Sequence, residues 1–122
     1  MAKVTGLGGI FFKSPDPTAL AAWYAKHLGL QVDDWGGVRF DEDEQRAGYT
    51  LWSAFPADTT HFAPSTQPFM VNFRVDDLDA LLARLRDAGV EVDQRIDEGE
   101  FGRFGWIMDP DGTRIELWQP LS

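Results

Sequence analysis

The sequence has no cysteine, only two histidines and three methionines among its 122 residues. The missing thiol excludes a disulfide framework, a thiolate nucleophile and a zinc–thiolate site. Long apolar runs are missing as well. The stretch ending at Phe12 meets Lys13, Ser14, Pro15 and Asp16, so it is neither a signal h-region nor a membrane span, and a cytoplasmic protein with no membrane partner is expected. Basic residues are scarce: 11 Lys and Arg face 20 Asp and Glu, a formal net charge of −9. Without a basic stripe to neutralise phosphates, nucleic acid is not an expected partner.

What remains is 43% hydrophobic and 13% aromatic, the composition of one globular domain over residues 1–122. Residues 4–13 form a glycine-interrupted, partly alternating run that reads as a strand. Asp16 then offers an N-cap with Pro17 at the first helical position. Leu20, Trp23, Tyr24 and Leu28 follow at helical spacing until Gly29. Short strands are expected at 30–33, 37–40 and 49–54 around an acidic turn at 41–44. From Phe69 the order begins again. A strand at 70–75, a helix starting at Asp76-Asp77 and striped by Leu78, Leu81, Leu82 and Leu85, and Gly89 as its stop lead to strands at 90–94, 103–108 and 113–119. The turn Asp109-Pro110-Asp111-Gly112 joins the last two as a hairpin.

The two halves are one pattern repeated. His27 to Asp33 lies over Asp87 to Asp93 at a spacing of 60, Phe12-Lys13 over Phe73-Arg74 at 61, and Tyr49-Thr50-Leu51-Trp52 over Ile115-Glu116-Leu117-Trp118 at 66. Module one is thus placed at about 3–56, a loop at about 57–68 and module two at about 69–120. Because side chains alternate across a strand and the helices must cover one face, Ile115 and Leu117, with Tyr49 and Leu51, are expected beneath the helices. Arg114, Glu116 and Trp118 are left on the other face with Gly48, Thr50 and Trp52. Gly9, Phe11 and Lys13 join that face, together with Met70, Asn72 and Arg74. Aromatics, both charges and an amide on one surface suit a ligand cleft, with a dimer seam or plain core as the other reading.

On these residues the chain resembles the vicinal oxygen chelate superfamily, the group of glyoxalase I, bleomycin-resistance proteins and extradiol dioxygenases. The resemblance covers nearly the whole chain and rests on the paired modules, on Asp76-Asp77-Leu78-Asp79-Ala80 after Phe73-Arg74-Val75, and on the run from Asp109 to Trp118. It implies an α+β fold of two βαβββ modules, one main helix each, with eight strands curled around a cleft, and usually a homodimer. It also implies a divalent metal on the first and last strands of each module. Carried over by the repeat, those positions are Gly9, Thr50, Met70 and Glu116, of which only Glu116 is a good ligand for a hard cation. No metal or other cofactor is therefore expected.

The other candidates are weaker. His27, at the end of the first helix, is expected to meet the helix dipole or solvent, and His61 to stay at the surface or packed in its loop, reaching a cleft only if that loop folds inward. Asp109, Asp111 and Glu116 lack the spacing of a calcium loop, and Gly6-Leu7-Gly8-Gly9 opens no helix as a dinucleotide motif must. The expected function is metal-free binding of a small molecule by Phe11, Thr50, Trp52, Met70, Asn72, Arg74, Arg114, Glu116 and Trp118, with Trp106 nearby. The alternative is a metal-dependent lyase or dioxygenase, or acid–base chemistry in which Glu116 is the catalytic base. A third reading makes the aromatic face only a partner seam.

Overall fold

The computed structural model describes residue 2, residues 9–41 and residues 48–121. The strand expected at 4–13 and the acidic turn at 41–44 thus lie partly outside the described residues. Helix α1 spans Pro17–Leu28 and starts as the sequence requires: the Asp16 side chain accepts a hydrogen bond from Ala19 N at 3.1 Å, Pro17 occupies the first turn, and Gly29 ends the helix at φ 71°. Helix α2, Leu78–Asp87, repeats the device. Asp77 accepts from Ala80 N at 3.1 Å, and Gly89, 60 residues beyond Gly29, is also left-handed at φ 80°.

Between and after the helices run strands β1, Val71–Arg74; β2, Asp97–Gly99; β3, Gly102–Met108; and β4, Arg114–Pro120. They form one sheet in the order β1-β4-β3-β2, with β1 parallel to β4 and the other pairs antiparallel. Among the described residues the fold is α+β, one four-stranded sheet with two helices on it. Leu78, Leu82 and Leu85 of α2 and Tyr24 of α1 pack with Ile107, Ile115 and Leu117 into a single core. Gly105 fits beneath α2 because a Cβ there would sit 3.0 Å from Leu82, and Gly102 lets β3 pass the Gln119 carbonyl, which a Cβ would strike.

Two expectations need correction. Residues 90–94 are not a strand: only the Val92–Ile107 bridge forms, because Asp93 Oδ1 accepts from Arg95 N at 2.9 Å and turns the chain. The strand appears further on, as β2, and reaches β3 through Glu100-Phe101. Secondly, the segments expected as strands at 30–33, 37–40 and 49–54 hold one isolated bridge, Val32–Val38. Positive-φ Gly36 and Gly48 bend the chain where a ladder would run. With no pleat to fix its face, Tyr49 departs from its expected place under the helices. It lies on the opposite side of the sheet against Trp118, ring centroids 5.0 Å apart.

The hairpin turn is held from within. Asp109 Oδ1 accepts from Asp111 N and Thr113 N, both at 2.9 Å, and Oδ2 accepts from the Tyr24 hydroxyl at 2.8 Å. Burial, reinforced by this carboxylate, pushes the Tyr24 hydroxyl above the ordinary tyrosine range. The first helix is thereby tied to the last hairpin.

Candidate functional site

Ladder register sorts the sheet face turned away from the helices into rows. Arg74 pairs with Trp118, Trp118 with Phe104 and Phe104 with Asp97; in the next row Asn72 pairs with Glu116 and Glu116 with Trp106; Arg114 pairs with Met108 in the third. The first row is a line of packed aromatics in which Trp118 is buried. Trp118 and Phe104 are parallel within 2° at 6.0 Å, Tyr49 stands edge-on to Trp118, and the Trp118 indole N–H donates to Phe101 O at 2.7 Å.

The second row carries the only carboxylate at a family metal position. Glu116 Oε1 accepts from Asn72 Nδ2 at 2.8 Å, Oε2 accepts from Trp106 Nε1 at 2.9 Å, and His61 Nε2 lies 3.2 Å from Oε2. The Trp106 indole is fully buried, with the guanidinium carbons of Arg95 and Arg114 at 5.0 and 5.3 Å from its centroid. Arg95 is held bidentately by Asp97 at 2.9 and 2.6 Å, which keeps that carboxyl below the usual range. Arg114 reaches Asp93 at 3.3 Å. The Asp93 carboxyl is lowered first by the backbone N–H of Arg95 and then by this guanidinium.

His61 enters from residues 56–65, a segment also fastened by Ser65 Oγ, which donates to Gly112 O at 2.5 Å. Its ring lies parallel to Phe55 at 5.6 Å and edge-on to Trp106 at 6.0 Å. His61, expected to stay packed in its loop, instead reaches the central carboxylate because the loop folds inward. No sequence spacing carries that signal, since the contact spans 55 residues and depends on how an irregular loop folds. Arg95 was equally silent: it precedes a strand that the hydrophobic pattern does not mark. His27 stays at the end of α1 beside Trp23, at 5.1 Å between rings.

The remaining candidates divide. Asn72, Arg114, Glu116 and Trp118 share one face with Arg74, beside half-buried Met70. Gly9, Phe11, Thr50 and Trp52 are exposed, Phe11 at 93% and Trp52 at 82% of their surface.

A family model described as a glyoxalase-like domain matches residues 9–118. The chain belongs to the glyoxalase-like domain family. No curated protein matches it significantly. Among solved structures it is similar to TnmS3, an antibiotic binding protein from Streptomyces sp. CB03234, at 23% identity and TM-score 0.62 over 99% of this chain and 100% of that one. It is also similar to TioX from Micromonospora sp. ML1, at 18% identity and TM-score 0.53 over 88% and 93%. A third match, to a glyoxalase/bleomycin resistance protein/dioxygenase superfamily member from Sphaerobacter thermophilus DSM 20745, has 26% identity and TM-score 0.37. It covers 40% of each chain, and a "conserved domain protein" is matched over 47% of its length, so this chain spans less than half of those two relatives.

The family's metal does not fit the residues present. Glycine, threonine and methionine at positions 9, 50 and 70 leave Glu116 as the one hard anionic donor, and both of its oxygens are engaged by Asn72, Trp106 and His61. Among the described residues no group of three His, Asp or Glu side chains gathers elsewhere to hold one.

Proposed function

We propose that this chain binds a small, flat organic molecule on the sheet face opposite the helices, without a metal. The observation that carries this is the row of Phe104 and buried Trp118 beside a carboxylate already held by two neutral N–H donors. Flat rings gain from the edge of such an aromatic row by packing against it, while a few polar groups fix their orientation. An antibiotic-binding protein among the structural relatives supports the same reading by analogy of fold.

Completion of the eight-stranded cleft from module one, at about 3–56, belongs to this proposal, as do the loop at 57–68 and module two at about 69–120. So does a homodimer. Phe11, Trp52 and Trp35 expose 93, 82 and 71% of their surfaces in the first half, more apolar area than a monomer ordinarily leaves in water, and a second copy is the occupant proposed. The compartment proposed is the cytoplasm; among the described residues no helix is long and apolar enough to cross a membrane.

A thermal-shift panel tests the reading. Flat aromatic molecules are expected to raise the melting temperature of the wild-type protein by mass action, and manganese, nickel, zinc and iron(II) are not. A saturable shift with a divalent metal, abolished in Glu116→Gln, would replace this proposal with the metal-dependent lyase or dioxygenase reading.

A further inference from the structure

Glu116 stands on the sheet face turned away from the helices, and with Asn72, Tyr49 and Trp118 it lines a cavity whose walls come from both halves of the chain. A carboxylate offers about four acceptor positions, two on each oxygen. Oε2 meets Trp106 Nε1 at 2.9 Å and His61 Nε2 at 3.2 Å, while Oε1 meets Asn72 Nδ2 at 2.8 Å. A second position on Oε1 thus has no partner among the described residues. This is also the open end of the group. Asn72 is exposed and lines the cavity, Trp106 and His61 do not reach it, and the Glu116 side chain keeps 14% of its surface accessible.

The charges around that end favour a cation. Neither lysine nor arginine is among the three contacts of Glu116. Arg95 and Arg114 sit against the Trp106 ring, are held by Asp97 and Asp93, and do not line the cavity. Among the described residues that do line it, five carboxylates are set against three guanidiniums, of which Arg39 is paired with Asp41 at 2.8 Å and Arg74 stands in the row of Trp118. A cavity of that balance, in a chain of net charge −9, draws in positive charge. Tyr49 and Phe55 line it too, 50 and 45% exposed, and aromatic rings attract a cation as well as a flat hydrocarbon.

We infer that the bound molecule is a cationic aromatic amine, a flat ring carrying a protonated amino group whose N–H donates to Glu116 Oε1. This rests on the aromatic-cleft reading and names its ligand class. The ring packs beside Tyr49 and the row of Trp118, and the ammonium stands two residues along β4, at Glu116. An N–H donor needs only the one oxygen position that Oε1 offers, whereas a divalent metal needs several hard oxygens at once. Asn72 and Trp106 fix the carboxylate with neutral donors, so it keeps its charge for the ligand and its orientation without one.

The test is calorimetric titration at neutral pH with three probes that share one ring: 2-naphthylmethylamine, which is protonated there, 2-naphthylmethanol, which is neutral, and 2-naphthoate, which is anionic. The amine is expected to bind about tenfold more tightly than the alcohol, and the carboxylate most weakly. Glu116→Gln is expected to bring the amine down to the affinity of the alcohol and to leave the alcohol unchanged. In the wild-type protein, the carbon-13 signal of the Glu116 carboxyl is expected to shift with the amine and to stay in place with the alcohol, which decides the matter even if the variant does not fold. Equal binding of amine and alcohol would overturn the cationic ligand and leave the aromatic cleft standing. Tightest binding of 2-naphthoate would overturn it in favour of an anion on the guanidiniums. A preference for the amine that survives in folded Glu116→Gln, with an unmoved Glu116 signal, would overturn the assignment to this carboxylate. Failure of all three probes to bind would remove both proposals.

Discussion

The first and second halves of this chain carry the same order of patterns, yet they end in different states. In the second half, β3 and β4 find partners on both sides, and seven side chains from Leu78 to Leu117 become fully buried. In the first half the matching helix forms with matching caps, but among the described residues the segments after it make a single bridge and leave Trp35, Phe40, Leu51 and Trp52 largely in water. A helix closes its own hydrogen bonds, whereas a strand depends on its neighbours. A repeated pattern therefore guarantees the helices and makes the strands conditional.

The largest effect is expected from a leucine-to-alanine truncation made in each half. Leu82→Ala empties a fully buried position beneath α2 and is expected to cost about 2–5 kcal/mol, whereas Leu51→Ala, at 69% exposure, is expected to fall within about 0.5 kcal/mol, both read by urea denaturation. Equal costs would mean that the first half builds a core of its own. A dimer that dissociates in parallel with a large Leu51→Ala effect would place that core between copies.

Next is the tie between the halves. Tyr24→Phe removes the donor to Asp109 Oδ2 and is expected to cost about 1–3 kcal/mol. Its pH dependence has a definite sign. The folded-state hydroxyl titrates above the unfolded value near 10.0, so the difference between wild type and variant is full below pH 10 and shrinks as pH rises beyond it. Thermal melts from neutral to alkaline pH check this.

A smaller effect concerns the rim of the site. The Asp93 carboxyl lies below the usual range when folded, so its contribution is present above the ordinary aspartate value and is lost as the pH falls through the lowered one. Asp93→Asn is expected to lower the melting temperature modestly at neutral pH, where the contribution is full, and to flatten its fall across that acidic window. The smallest effect expected on stability is that of Trp52→Ala, within about 0.5 kcal/mol, because the ring is exposed.

Much of this was readable in the residues themselves. Asp16 and Asp77 as caps, Gly29 and Gly89 as stops, the leucine stripe of α2 and the alternation of Ile115 and Leu117 against Glu116 and Trp118 are local codes, and the structure follows them. The same alternation put Asn72 and Glu116 on one face, and the β1–β4 register then pairs them. What escaped depends on long-range or irregular geometry: Asp93 turning the chain before β2, Tyr49 leaving its expected face, and His61 arriving on Glu116 from a loop. The charges that complete the site came through those irregular segments.

The central claim is that the aromatic face of the sheet, rather than the exposed aromatics of the first half, receives the ligand. Indole N–H resonances separate the two, since Trp106 and Trp118 belong to one region and Trp35 and Trp52 to the other. Titration with 2-naphthylmethylamine is predicted to shift the Trp106 and Trp118 signals together along one saturating curve, with Trp35 and Trp52 unmoved. Shifts confined to Trp35 and Trp52, with Trp106 and Trp118 unchanged, would contradict it.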